Sequence, residues 1–254
     1  MQTLIQADSI SKTFGEGTEK RAVLDGISLE IRQGEFVSVM GPSGSGKSTL
    51  LYALSGMDSV DSGSILFEGE MLTGLHEAGL ADLRRTRMGF VFQQPTLLKH
   101  LDILDNILLP SLRDGRRNLS ALRARAKSLM EKTGIAGLEK RSITQASGGQ
   151  LQRVGICRAM MGEPRIIFAD EPTGALNSAT AGEIMDIFDV VHRAGVTILM
   201  VTHDVRVAAR AHRVIYLLDG KIAGELSSDT SGAAGRSLHE REQILADWLA
   251  GMEL

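Results

Sequence analysis

The sequence predicts an α/β fold on a largely parallel sheet, with antiparallel strands near its N-terminal end and a helical segment inserted into the core. Three observations carry that expectation. Short, near-continuous apolar runs recur along the chain between stretches of helical periodicity, the pattern of strands buried on both faces and joined by helices. The first 35 residues alternate more loosely, as in Ile27-Ser-Leu-Glu-Ile31, which suits antiparallel strands. Between about residues 93 and 156 the strand signal gives way to helical patterning.

In chain order, the strand candidates of the core are Phe36–Met40, Gly89–Phe92, Ile166–Asp170, Thr197–Thr202 and Val214–Leu218. Each is bounded by turn residues and rich in β-branched or aromatic types. Before the second strand, Arg84-Arg-Thr-Arg87 reads as a solvated face. In the inserted segment, a helix over Ala121–Thr133 would place Leu122, Ala126, Leu129 and Met130 on one face, with Gly134 as its stop. The stretch Ser227–Gly235, rich in Ser, Gly and Ala, predicts a flexible linker, so residues 1–226 form one domain and 227–254 a linker and tail helix. Ser237-Leu-His-Glu240 is a capping-box pattern, and the helix it opens should run to about Leu249 and stop near Gly251. Leu238, Leu245, Trp248 and Leu249 would share one side, with Glu240, Arg241, Glu242 and Asp247 largely elsewhere. So short a helix is marginal alone in water, so the stripe needs its own core or a partner to pack on.

Composition limits the function classes. Twenty-eight basic residues against 31 acidic ones leave a net charge of −3, so no nucleic-acid partner is expected. The one cysteine, Cys157, cannot form an intramolecular disulfide, which suits a reducing compartment, and its place in a helix predicts a packed thiol. The N-terminus has no signal-peptide pattern, and no apolar run approaches the roughly 18–20 residues of a membrane span. A cytoplasmic protein is expected.

Three motifs carry the chemistry. Gly41-Pro42-Ser43-Gly44-Ser45-Gly46-Lys47-Ser48-Thr49 fits the phosphate-loop pattern, between a strand and a helical segment. Its glycines let consecutive N–H groups point at phosphate oxygens, Lys47 reaches the β- and γ-phosphates, and the Ser48 hydroxyl suits Mg²⁺. The apolar run Ile166–Ala169 ends in Asp170-Glu171; a strand beside the phosphate-loop strand would deliver Asp170 to Mg²⁺ and Glu171 to the attacking water. Ser147-Gly148-Gly149-Gln150 opens a helix through Val154, Cys157 and Met160, and its amides make a second anion site.

With these three motifs in this order, the chain resembles the ABC ATPase family from about residue 3 to 224. The resemblance implies a P-loop NTPase core of RecA-like type, ATP and Mg²⁺ as cofactors, and the following roles. Phe14 matches the aromatic that stacks on adenine, the alternative being a core aromatic. Gln93, in Val91-Phe-Gln93, matches the glutamine that senses Mg²⁺ and the γ-phosphate and faces the membrane partner. Ser147–Gln150 matches the signature that contacts the γ-phosphate held by a second nucleotide-binding subunit, in a homodimer. Asp170 matches the metal-binding aspartate, Glu171 the catalytic glutamate and His203 the switch histidine. Ala146 and Asn177 depart from the pattern, standing where Leu and Asp are usual. Pro95–Leu101 would border the groove that receives a coupling helix of the membrane subunit, or would be core.

Met40–Thr49 and Asp170–Leu176 are most similar to the branch serving macrolide export, lipoprotein release and antimicrobial-peptide resistance of the bacitracin type. Asn177 and the segment at Asp247-Trp-Leu lean toward the peptide-resistance type. The resemblance implies an ATPase powering export or extraction of a peptide, antibiotic or lipid-linked cargo through transmembrane permease subunits, peripheral on the cytoplasmic face of the membrane. The short stretch after His203 speaks against nutrient importers with long regulatory domains. The alternative is a soluble ATPase of the family acting on nucleic acid or the ribosome. Such members carry a long coiled coil or two cassettes, and this sequence has neither.

Overall fold

A computed structural model of the chain describes residues 2–15, 20–112, 118–228 and 235–252. The fold divides into two compact units, Met1–Leu80 with Thr197–Leu254, and Ala81–Val196. In chain order the elements begin β1 (Thr3–Phe14), β2 (Arg21–Arg32), β3 (Phe36–Met40), α1 (Lys47–Leu54), β4 (Ser62–Phe67) and β5 (Glu70–Met71). They continue with α2 (Glu77–Arg87), β6 (Met88–Phe92), α3 (Ile103–Leu108), α4 (Leu119–Lys132), α5 (Gly148–Met160), β7 (Ile166–Asp170) and α6 (Ser178–Arg193). The last are β8 (Thr197–Val201), α7 (Val205–Ala208), β9 (Arg213–Leu218), β10 (Lys221–Ser227) and α8 (Leu238–Ala250).

The first unit holds two sets of strands. β1 lies antiparallel between β2 and β4, with Ala7 opposite Leu29 and Ile10 opposite Ile27. Along β2 the alternation Ile27, Leu29, Ile31 buries every second residue, as the looser sequence pattern predicts. The second set is parallel, with β3 between β8 and β9 and β10 antiparallel on β9. All five residues of β3 and of β8 are buried, which accounts for their mostly apolar runs. One expectation needs correction here. Both flanks of β3 are occupied by β8 and β9, so the strand ending at Asp170 is not its neighbour. Adjacency in a parallel sheet is set by crossovers between distant segments, not by order along the chain.

The tail helix α8 packs within this unit. Ser237 and Glu240 form the capping box and Gly251 closes the helix. Leu245 is buried in a cluster with Met40, Ala208, Ala209, Val214 and Tyr216, and Trp248 meets Tyr216 edge to face at 6.3 Å. The helix therefore leans on its own core. Two residues depart from the expected stripe: Leu238, in the first turn, is exposed, whereas the guanidinium of Arg241 turns inward to donate to the Ala211 carbonyl. The expected linker falls largely on residues 229–234, outside the described residues.

In the second unit β6 and β7 pair in parallel, from Met88 opposite Ile166 to Phe92 opposite Asp170. Helices α3, α4 and α5 enclose a separate apolar cluster that includes Ile107, Ala126, Met130, Val154 and Cys157. α4 starts earlier than expected, at Leu119, because the Asn118 side chain accepts the Ser120 amide and caps it. Leu122, Ala126 and Met130 face the cluster, with Leu129 at its margin. The basic run before β6 is not wholly solvated, since Arg85 is largely covered and pairs with Asp82 at 2.5 Å.

Candidate functional site

The phosphate loop leaves the carboxyl end of β3 and runs into α1. Gly41 has φ +146°, and a Cβ there would stand 2.0 Å from the Leu217 carbonyl oxygen. Gly46 has φ +102°, and its Cβ would stand 2.5 Å from the Val23 carbonyl oxygen. Both positions require glycine by conformation and by space. The Lys47 ammonium donates to the carbonyls of Gly41 and Pro42 at 2.9 and 2.8 Å, so it lies across the mouth of the loop. Pro42, Ser43 and Gly44 are exposed, whereas Ser45 is buried and its amide nitrogen and carbonyl tie the loop to Pro42 and Gly220. Ser48 and Thr49, in the first turn of α1, share with Phe14, Arg21, Val23 and Gly44 the lining of an open groove.

Phe14 ends β1 and is 48% exposed, which rules out a core role. His203 is exposed just past β8, whose Val201 lies opposite Val39 of β3. The buried Thr202 anchors that corner, donating its amide to the Val39 carbonyl and accepting the Asp204 amide. The first unit thus brings the phosphate loop and His203 to one edge of a parallel strand pair, with Phe14 on the groove beside the loop.

The second unit does the same for the acidic residues. Asp170 ends β7 opposite Phe92, so Gln93 and Glu171 emerge at the same edge of the β6–β7 pair. Glu171 has φ +48°, a left-handed conformation rare for a residue with a side chain, and it opens a turn closed by the Gly174 amide on its carbonyl. Gln93 lies against that turn, for a Cβ on Gly174 would stand 2.8 Å from its Nε2. Ser147 caps α5 with a full capping box: its hydroxyl accepts the Gln150 amide, and Gln150 Oε1 accepts the Ser147 amide. Helix geometry offers no internal acceptor to the amides of Gly148 and Gly149. Asn177 caps α6 through the Thr180 amide, and Ala146 packs at the margin of the helical cluster.

Sequence reasoning missed two groups. Gln152 and Arg158 of α5 hold both ends of the segment carrying Gln93, donating to the carbonyls of Phe92 at 3.0 Å and Thr96 at 2.6 Å. Lys12, two residues before Phe14, is buried although it is a lysine. Polar residues in apolar periodicity are the only signal for either group. Cys157, by contrast, is packed as expected; burial pushes its thiol up to about 11, away from nucleophilic chemistry. Of the segment after Gln93, Leu97 packs at the margin of the helical cluster and Leu98 is exposed.

Comparison with known proteins adds to this geometry. The chain matches the ABC transporter family over residues 24–174. It is 43% identical over 227 residues to the macrolide export ATP-binding/permease protein MacB of Neisseria meningitidis, covering 89% of this chain and 35% of that protein. The probable export ATP-binding/permease protein MacB of Pseudomonas entomophila is 43% identical over 224 residues, covering 88% of this chain and 33% of that one. The chain therefore spans about a third of the length of these relatives. A solved dimer of the ATP-binding cassette MJ0796, in a post-hydrolysis state bound to ADP and Pi, matches with a TM-score of 0.83 at 37% identity, covering 88% of this chain and 98% of that one. CbiO1 from Clostridium perfringens, part of the ABC transporter complex cbiONQ, matches with a TM-score of 0.82 at 25% identity over 100% of both chains.

Proposed function

Because this chain belongs to the ABC transporter family, we propose that it is an ATP-binding and ATP-hydrolysing subunit that drives export through a permease, working as a dimer. The observation that carries the reading is the phosphate loop, where Gly41 and Gly46 admit no side chain and Lys47 lies on the loop's own carbonyls. A nucleotide's β- and γ-phosphates would draw the ammonium off those carbonyls and take the amides of the loop and of α1 as donors. Phe14 would stack on the base and His203 would meet the γ-phosphate.

Glu171 is assigned to orient and polarise the attacking water, and its left-handed backbone supports that role by fixing where the carboxylate emerges. Ser48, Gln93 and Asp170 offer hard oxygen donors, a set that suits Mg²⁺ when phosphates supply the remaining ligands. Mg²⁺ would neutralise charge on the β- and γ-phosphates. The Ser147–Gln150 turn would bind the γ-phosphate held by the second subunit, as the dimer of the related cassette suggests.

Among the described residues no helix is long and apolar enough to cross a membrane, so the reading places the membrane-crossing part outside this sequence. The relatives named for macrolide export support an antibiotic or a similarly amphiphilic molecule as cargo. Exposed Leu98, in the segment that follows Gln93, is assigned to the contact with the permease.

The test is Glu171→Gln. It should keep ATP binding, lose turnover by about 10²–10⁴-fold, and run as a dimer with ATP by light scattering. Near-normal turnover would remove Glu171 from the chemistry. A variant that stays monomeric with ATP and with its permease would overturn the dimer.

A further inference from the structure

We propose that Lys12, Asp58 and Asp61 form a clamp that fixes the ring of Phe14 relative to the phosphate-binding helix and so sets the affinity for the adenine base. The inference rests on the reading in which Phe14 stacks on that base. Lys12 and Phe14 stand two apart on β1 and share a face, and the Lys12 ammonium sits 5.4 Å from the centre of the Phe14 ring, over its face. A buried ammonium is costly unless its donors are used. Here they are used: Lys12 Nζ reaches Asp58 Oδ1 at 3.0 Å, the Ser59 carbonyl at 2.6 Å and Ser59 Oγ at 3.4 Å.

The intervening residue is held from the same loop. The amide and hydroxyl of Thr13 donate to Asp61 Oδ2 at 2.8 and 2.6 Å, and the Asp61 amide donates back to the Ser11 carbonyl at 2.8 Å. The Thr13 hydroxyl, and then its amide, hold the Asp61 carboxyl below the usual carboxylate range, so it stays an acceptor at neutral pH. The loop in turn hangs from α1, because the amides of Met57 and Asp58 both donate to the Tyr52 carbonyl, at 2.9 and 3.1 Å. Tyr52 lies in the last turn of the helix that Lys47 opens. Hydrogen bonds therefore link the end of the phosphate-binding helix to Lys12 and Thr13, and the Lys12 ammonium over the ring makes the last step to the aromatic platform. Phe14 is half exposed, and an exposed ring pays an ordering cost when a base stacks on it; a ring already held pays less.

The experiment uses ATP hydrolysis by the full chain, with inorganic tripolyphosphate as a competitive inhibitor that carries no base. Phe14→Ala should raise KM for ATP about tenfold, the ordinary worth of one stacked base. Lys12→Met, and the milder surface variant Asp61→Asn, should each raise it about two- to tenfold, with kcat within about twofold of the parent. The inhibition constant of tripolyphosphate should not move in either. Adding Lys12→Met to Phe14→Ala should raise KM no further. If KM and the tripolyphosphate constant rise together in both clamp variants, they merely loosen the fold and the proposal is overturned. If Phe14→Ala raises KM while both clamp variants leave it unchanged, the clamp fails and the base platform stands. If Phe14→Ala leaves KM unchanged, the platform reading falls, and the clamp with it.

Discussion

The phosphate loop and the Ser147–Gln150 turn both present backbone amides at the start of a helix, yet they are built by opposite means. α1 begins at Gly46, left-handed, with no side-chain cap, and the loop before it presses against the carbonyls of Leu217 and Val23. α5 begins at Ser147, in ordinary extended geometry, with a reciprocal side-chain box. The first is shaped by neighbouring backbone that leaves no room for a side chain. The second is shaped by its own side chains. In one, a substitution acts through rigid carbonyls; in the other it acts through groups that can rotate or be replaced by water. The two ends of one chemical idea should therefore tolerate change very differently.

The largest expected effect is at the rigid end. Gly41→Ala would put a methyl 2.0 Å from the Leu217 oxygen at a φ that disfavours any side chain, and neither constraint can relax alone. It should lower unfolding free energy by about 3 kcal/mol or more in urea denaturation. At the second site, Gly149→Ala brings its methyl to 2.5 Å from Thr180 Cγ2, a side-chain end. Rotation of that threonine should hold the cost to about 1–2 kcal/mol, and Thr180→Ser, which deletes the offending methyl, should recover most of it. Equal costs for the two glycines would break the contrast, as would a failure of Thr180→Ser to rescue.

How far the sequence foretold these sites follows from what fixes each of them. Phe36–Met40 and Ile166–Asp170 are strands at the expected bounds, because burial makes the first mostly apolar throughout and the second apolar up to Asp170, whose charge marks its end. The phosphate loop and the capping box of α8 were legible because local chemistry alone demands those residue types. What escaped is nonlocal. Nothing near Asp170 tells which strands flank β3, and nothing in the residue type of Glu171 announces a positive φ. The burial of Lys12 has no local signal, because its anion, Asp58, is 46 positions away in the chain. Leu238 was expected on the buried side by periodicity, yet in the first turn of α8 it lies beyond the core that receives Leu245.

The smallest expected effect separates the structural role of Ser147 from its proposed role toward nucleotide. Ser147→Ala removes the acceptor of the Gln150 amide but leaves Gln150 Oε1 to accept the amide at position 147, so half the box survives. In an exposed first turn the freed amide turns to water, and the loss should be about 1 kcal/mol, or roughly 2–4 °C in melting temperature. If the hydroxyl serves only its own helix, that shift is the whole consequence, and Ser147→Ala placed in Glu171→Gln will still dimerise with ATP. If the hydroxyl also meets the γ-phosphate held by the other subunit, the ATP-dependent dimer will weaken by more than a cap is worth. Gln150→Ala is the control, since it removes the other half of the box and leaves the serine hydroxyl in place. Equal loss of dimer in both variants would show that the serine hydroxyl has no contact of its own with the nucleotide. A loss confined to Ser147→Ala would assign it to the nucleotide.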